Sequence, residues 1–364
     1  MKKILPVLLL STLVVSCYEE IILPSGNEEP VVVMNAQLNT ADATHEIHLS
    51  VSRNNRVWGL DGADVRVTVN EKTTFTATQV YDDYASTPGY QPWEQVYAFD
   101  ADLKPGDEVR IEARKDAFAV SATVTAPPAV TLSAIDTSTV RMSYMDDVSD
   151  YLQVKLSFRD LPGDSWYRID ACTETEFAYL DEEGNPVPEY SGTQTYWLYP
   201  ETGYDPVISE GGGKTGGLDL AALLSADNTY NCFSDNNFRD QECTVRPLFY
   251  PYSVYGHYQW YIFPNLDDYT NYQEIYETIY HMPYRLHQRA RVQVRTIDFS
   301  QYHYLKALQN LDTYGTEMTF LVEPTTLPSN VEGGLGFVGL DTVTEVVFYE
   351  REVLLPPSAE QLYY

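Results

Sequence analysis

The sequence predicts a mostly β protein: an N-terminal immunoglobulin-like β-sandwich followed by a β-rich α+β domain with a few helices. Three observations lead there. Short runs of β-branched and aromatic residues recur from residue 31 onward, turn signals separate them, and helical periodicity is confined to a few stretches. In order, VVVMNAQL, HEIHLSVS, ADVRVTVN, TTFTATQVY, EQVYAFDADL, DEVRIEAR and AVSATVTA read as strands, punctuated by Asp61-Gly62 and Lys104-Pro105-Gly106-Asp107. So many short strands within about 100 residues is the expectation for a sandwich. Ala126-Pro127-Pro128 closes the run, because proline cannot continue a central strand. The first domain is therefore placed at 30–127 and the second at 128–364.

In the second domain DYLQVKLSFRD, SWYRIDACTETEF, GTQTYWLY, ARVQVRTIDF and TVTEVVFYE read as strands. Arg289, Arg291, Gln293 and Arg295 alternate with Ala290, Val292, Val294 and Thr296, the pattern of a sheet with one solvated face. Helix is expected at 218–226, 269–280 and 300–311. The last carries Tyr304, Leu305, Leu308 and Leu311 on one stripe behind Ser300 as N-cap. Gly211-Gly212-Gly213 and Gly216-Gly217 mark a loop.

The chain opens MKKILPVLLLSTLVVSC, a basic start, a short apolar stretch and a small-residue cleavage site that ends in cysteine. The apolar stretch is shorter than the roughly 20 residues of a membrane span, so 1–16 reads as an export signal. Cys17 is then the lipidated first residue of a bacterial lipoprotein, and 17–29 a tether. Tyr18-Glu19-Glu20 either resemble the surface-export signal of Bacteroidetes lipoproteins or are ordinary tether residues. These features place the protein at the outer membrane, lipid-anchored and facing the exterior.

The net charge of −30 repels phosphate backbones and anionic lipid, which argues against nucleic-acid binding. It suits solubility, divalent cations or a basic partner. In an exported chain Cys232 and Cys243 can close the loop NCFSDNNFRDQEC as a disulfide, or stand apart, since spacing does not decide connectivity. Cys172 is left as a buried thiol.

GGLGFVG at 333–339 contains G-x-G-x-x-G through Gly334, Gly336 and Gly339. A dinucleotide loop must follow the first strand of a βαβ unit and open a helix. Here a strand-like run, TVTEVVFYE, follows, and too little chain remains for such a fold. No nucleotide is expected; the glycines read as a turn or bulge that admits positive φ or close backbone approach.

The same stretch, PSNVEGGLGFVG, resembles the closing signature of a family of Bacteroidetes lipoproteins catalogued as domain of unknown function 4249. Pro30-Val31-Val32-Val33, Gly62-Ala63-Asp64-Val65, Leu103 to Asp107, Phe233-Ser234-Asp235 with Phe238, and FSQYHYLKAL are similar to other family segments. Arg239 stands where a glycine is more usual. The resemblance implies an outer-membrane lipoprotein whose genes often lie beside TonB-dependent transporters, and it supplies no catalytic residues.

Chemistry-bearing motifs are sparse. His45 and His48 fall on opposite faces of a strand, and no H-E-x-x-H or paired-cysteine zinc spacing occurs. No G-x-S-x-G marks a nucleophile. The sequence therefore points to no metal, no cofactor and no enzyme. Tyrosine is the outlier, with 30 against 13 Phe and 5 Trp. Within 249–284 fall Tyr250, Tyr252, Tyr255, Tyr258, Trp260, Tyr261, Tyr269, Tyr272, Tyr276, Tyr280 and Tyr284. Tyrosine buries a large area yet keeps a polar tip, which suits protein interfaces and sugar-stacking surfaces. The segment is accordingly the candidate recognition surface, its other use being to pack on its own sheet. The expected function is an accessory ligand-capture or gating subunit of a TonB-dependent β-barrel, with a glycan or peptide as ligand. The alternative is a free-standing adhesin or glycan-binding module.

Overall fold

Along most strands buried and exposed residues alternate, and that alternation sets the architecture. The computed structural model describes residues 29–53, 56–80, 93–144, 147–210, 228–255, 278–314 and 327–357. Cys17, the tether to residue 28 and the expected helix at 218–226 lie outside them, as does 269–277 of the expected helix at 269–280; residues 278–280 are helical.

The N-terminal strands are β1 (Val31–Asn39), β2 (Thr44–Arg53), β3 (Arg56–Gly59), β4 (Asp64–Val69), β5 (Thr73–Thr76), β6 (Thr78–Val80), β7 (Gln95–Asp100), β8 (Glu108–Lys115) and β9 (Phe118–Thr125). β1, β2, β7 and β6 lie side by side with β3 attached to β2, while β5, β4, β8 and β9 form a second sheet. Met34, Leu38, Ile47 and Leu49 from the first sheet join Val65, Val67, Val109 and Ile111 from the second in one apolar cluster. TTFTATQVY, expected as one strand, breaks at Ala77. That residue is buried and donates its N–H to the Val65 carbonyl, and the two halves serve different sheets.

The remaining elements are β10 (Thr131–Tyr144), β11 (Asp147–Arg159), β12 (Trp166–Leu180), β13 (Pro186–Leu198), β14 (Cys232–Ser234), β15 (Glu242–Val245) and β16 (Leu248–Phe249). They are followed by α1 (Pro251–Tyr255), β17 (Tyr284–Ile297), α2 (Phe299–Tyr314) and β18 (Val338–Leu355). β10, β11, β15 and β16 make a four-stranded sheet. Its Val154, Leu156 and Phe158 share a core with Tyr167, Ile169 and Ala171 of β12 and Val292 and Val294 of β17.

β18 joins the two sandwiches. Val338 to Asp341 pair in parallel with Ala36 to Asn39 of β1, and Thr342 to Leu355 pair antiparallel with β17. Val338 and Leu340 enter the first core, while Val346 and Phe348 pack against the second. A ten-stranded sheet, β13-β12-β17-β18-β1-β2-β7-β6 with β14 and β3 at its sides, therefore runs through both halves.

The glycine-rich loop feeds this strand, as its sequence implied. Leu335 exchanges backbone hydrogen bonds with Val32 and Met34, and Glu332 with Ser121, so the loop stitches β1 to β9. Gly336 has φ +113°, and a Cβ there would lie 2.1 Å from the Met34 carbonyl oxygen. At Gly334 it would lie 2.5 Å from the Val32 carbonyl oxygen. Only glycine lets the backbones approach this closely.

α2 begins one residue earlier than expected. Asp298 is its N-cap, its carboxylate accepting the Gln301 N–H at 2.7 Å, and Ser300 sits inside the first turn. Leu305 is buried with Ile297 and Cys232, and Tyr304 stacks on Phe337 at 4.3 Å and 9°. At Phe233-Ser234-Asp235 a short 3-10 turn follows β14, and Asp240, not Arg239, takes the left-handed conformation at φ 58°. Arg239 instead pairs with Asp164 at 2.7 Å and Asp235 at 3.3 Å.

Candidate recognition surface

The tyrosine-rich segment leaves the fold through β16. Phe249 pairs with Leu152 and stacks on Phe348, with centroids 5.7 Å apart, so it is buried. Tyr250 is turned out and is 54% exposed, its ring 6.3 Å from that of Tyr151 and edge-on to it. A β-bridge between Glu201 and Leu248 brings Tyr199, 86% exposed, and Tyr204, 40% exposed, to the same end of the molecule. Sequence reasoning missed these two, because they lie outside the tyrosine-dense stretch and only the bridge places them beside it.

The predicted residues divide as follows. Tyr250 is at the surface; Tyr252 and Tyr255 fall on α1; Tyr280 is half-buried with its ring 5.4 Å from His281. Tyr258, Trp260, Tyr261, Tyr269, Tyr272 and Tyr276 lie outside the described residues. Tyr284 is core, fully buried against Tyr179 and Leu286.

A second surface is the outer side of β13, β12, β17 and β18, opposite the core. Its side chains form parallel rows. β13 contributes Ser191, Thr193, Thr195 and Trp197; β12 contributes Asp170, Cys172, Glu174 and Glu176. β17 contributes His287, Arg289, Arg291 and Arg295, and β18 contributes Asp341, Glu345, Glu350 and Glu352. Bases thus sit between acids on both sides. Arg289 reaches Glu174 and Glu176, each at 2.5 Å; Arg291 reaches Glu345 at 3.2 Å and also Glu174.

The solvated arginine face expected from sequence is corrected here. The Arg295 side chain is only 8% exposed and that of Arg291 21%, because acids on both neighbouring strands hold them down. Arg295 lies at the centre, 2.9 Å from Asp170 and 3.2 Å from the fully buried Asp341, with Trp197 over its guanidinium at 5.7 Å. Gln37 of β1 and Gln301 of α2 also donate to Asp341, at 2.9 Å and 2.5 Å. The cluster thereby ties both sandwiches and the helix together. Burial pushes the Asp341 carboxyl up, and Arg295, Arg168 and Gln301 oppose it. Further along, His287 is held between Glu350 at 2.7 Å and Glu176 at 3.6 Å; the Glu350 hydrogen bond and then the Glu176 charge raise its pKa.

At that end of the rows lies a groove of about 560 Å³ lined by Glu176, Ser191, Thr193, Arg285, His287 and Glu352 among others. Trp197, four positions beyond Thr193 on β13, is half exposed.

The bridge that the sequence left open between Cys232 and Cys243 is not formed. Cys232 sits under α2 with Ile297 and Leu305, whereas Cys243 belongs to the core between β11 and β12, and both are free. They pair with different strands, Cys232 with Arg168 and Cys243 with Phe158, on different sheets. Burial pushes the Cys232 thiol up to about 11 and that of Cys243 to about 12, and it also raises Cys172. Protonated and enclosed, none of the three is a ready nucleophile. Among the described residues no group of three or more His, Cys, Asp or Glu side chains is placed to hold a metal ion.

The chain matches the family described as "Domain of unknown function (DUF4249)" over residues 18–346. No curated protein matches it. A solved structure, of a DUF4785 family protein from Legionella pneumophila, is 8% identical with a TM-score of 0.21. That alignment covers 71% of this chain and 51% of the other, so the chain spans about half that protein's length. So slight a likeness bears on neither fold nor function.

Proposed function

The chain belongs to the DUF4249 family, and on that footing we propose that it is a non-enzymatic lipoprotein that captures ligand for, or gates, a TonB-dependent outer-membrane barrel. The observation that carries this reading is the patch of exposed tyrosines, Tyr199, Tyr204 and Tyr250, gathered where the tyrosine-rich segment leaves the sheet. Large amphipathic rings exposed just beyond the ends of β13 and β16 are the kind of side chain that a protein interface uses as anchors. The lipobox at Cys17 supports attachment to the outer membrane, and the acidic residues behind it support an outward orientation. A non-catalytic role is supported by the described chemistry, with thiols enclosed and the carboxylates of the outer sheet face held in ion pairs.

The test is an affinity pull-down of full-length, lipidated protein from gently solubilised outer membrane. The reading expects a β-barrel transporter at near-equal amount, and expects less of it with Tyr250→Ala and Tyr199→Ala combined. Recovery of the protein alone contradicts it. The competing reading is a free-standing surface module that binds glycan without a barrel, which the half-exposed Trp197, on the same strand face as Ser191 and Thr193 of the groove, favours.

A further inference from the structure

We propose that the outer face of β13, β12, β17 and β18 binds a neutral polysaccharide chain, with Trp197 as its stacking platform and the groove at Ser191 and Thr193 as its hydrogen-bonding subsite. This names the ligand class for the capture reading and rests on it only in taking the protein to be a binding protein, with or without a barrel.

The first argument is Trp197 itself. Trp197 is 48% exposed, and the nearly buried Arg295 guanidinium lies over its ring, 5.7 Å from the centroid. Arg295 is fixed in turn by Asp170 and Asp341. A half-exposed ring backed by a cation–π contact to a fixed guanidinium is pre-organised to accept the C–H face of a pyranose.

The second argument is charge. Each carboxylate on this face already has a cationic partner: Glu174 and Glu176 have Arg289, Glu345 has Arg291, Glu350 has His287 and Glu352 faces Arg285 at 3.9 Å. A charged ligand would have to displace one of these partners. A neutral polyhydroxylated ligand need not, and can use the lone pairs and N–H groups that the pairs leave unspent.

The third argument is continuity. Ser191, Thr193, Thr195 and Trp197 are alternate residues of one strand, so they share a face. Thr193 to Trp197 spans about 13 Å, which calls for a chain of rings rather than a single sugar. The groove at one end, about 560 Å³, is of the size that small-molecule subsites have.

An extended peptide added to the edge of β13 is the competing occupant. Pro186 and Pro188 lack N–H donors at the start of that edge, which blunts it against strand addition.

The experiment is affinity electrophoresis of the full-length protein in detergent, without any barrel, in native gels. Each gel contains amylopectin, β-glucan, xylan or galactomannan, with alginate as the anionic control. At least one neutral polysaccharide should retard the protein. Trp197→Ala should weaken that retardation at least tenfold, and so should Thr193→Tyr, an exposed change that fills the groove. Trp93→Ala, which removes a ring that is 68% exposed elsewhere, should leave it unchanged. Thermal melting checks that each variant is folded. The proposal is overturned if no neutral polysaccharide retards the protein, if only alginate does, or if both variants bind as the unaltered protein does. Binding of extended peptides alone overturns it as well. Since no barrel is in the gel, a failed pull-down and a failed retardation are separate results.

Discussion

Arg295 shows how one residue can tie distant parts of a chain together. It touches Asp170 and Asp341, and Asp341 in turn receives Gln37 and Gln301, so groups from β12, β18, β1 and α2 meet within one cluster. Removing one member of a buried ion pair leaves the other uncompensated, so Arg295→Met should cost about 3–5 kcal/mol in urea unfolding. Adding Asp341→Asn should recover about 1 kcal/mol or more of that loss, since coupled neighbours do not add. Strict additivity would mean that the cluster is not coupled. His287 gives a pH signature. Glu350 and Glu176 face it from the two neighbouring strands, with Arg289 beside it on its own strand, and its folded pKa is raised above the ordinary value near 6.5. Its contribution is therefore complete below about pH 6.5 and fades as pH rises through the folded pKa. The stability difference between the unaltered protein and His287→Gln should shrink as pH rises above about 6.5 and through the raised folded pKa. A difference independent of pH would show that His287 makes no such contribution. The alternation of Arg289, Arg291 and Arg295 was legible in the sequence. Their acid partners were not, because register across three strands decides them.

At the scale of elements, hydrophobic alternation located most of the strands, and the physical reasons for the exceptions differ. β10 escaped notice because TLSAIDTSTVRMSY is an edge strand with an exposed, polar outer side and a register shift between Leu132 and Ala134. β14 and β16 are too short to carry a period. Proximity in sequence could not decide between bridged and free thiols at Cys232 and Cys243, where eleven positions of chain (232–243) cross from one core to another. The glycine-rich loop was legible, since a strand-like run after G-x-G-x-x-G leaves a tight backbone approach as the natural use of its glycines. Gly336→Ala tests that use directly. With φ at +113° and the Met34 carbonyl oxygen 2.1 Å from the added Cβ, the variant should lose about 3 kcal/mol or more, or fail to fold. Unchanged stability would mean that the loop does not hold β1 against β9.

For the whole molecule, the sequence separated the chain near Pro127 but gave no sign that the last strand returns to the first core. Parallel pairing of β1 with β18 links residues some 300 positions apart, and no local pattern reports it. The result is a continuous ten-stranded sheet with an open polar face on one half and exposed tyrosines at one end. Docking on a barrel through those tyrosines is the central claim. Its most direct test is a photo-crosslinking residue placed at Tyr250 or Tyr199 in the living outer membrane, with Thr74 on β5 as the control. The account predicts adducts to a β-barrel transporter from the two tyrosine positions and none from Thr74. No barrel adduct from either position, or equal adducts from all three, would contradict it.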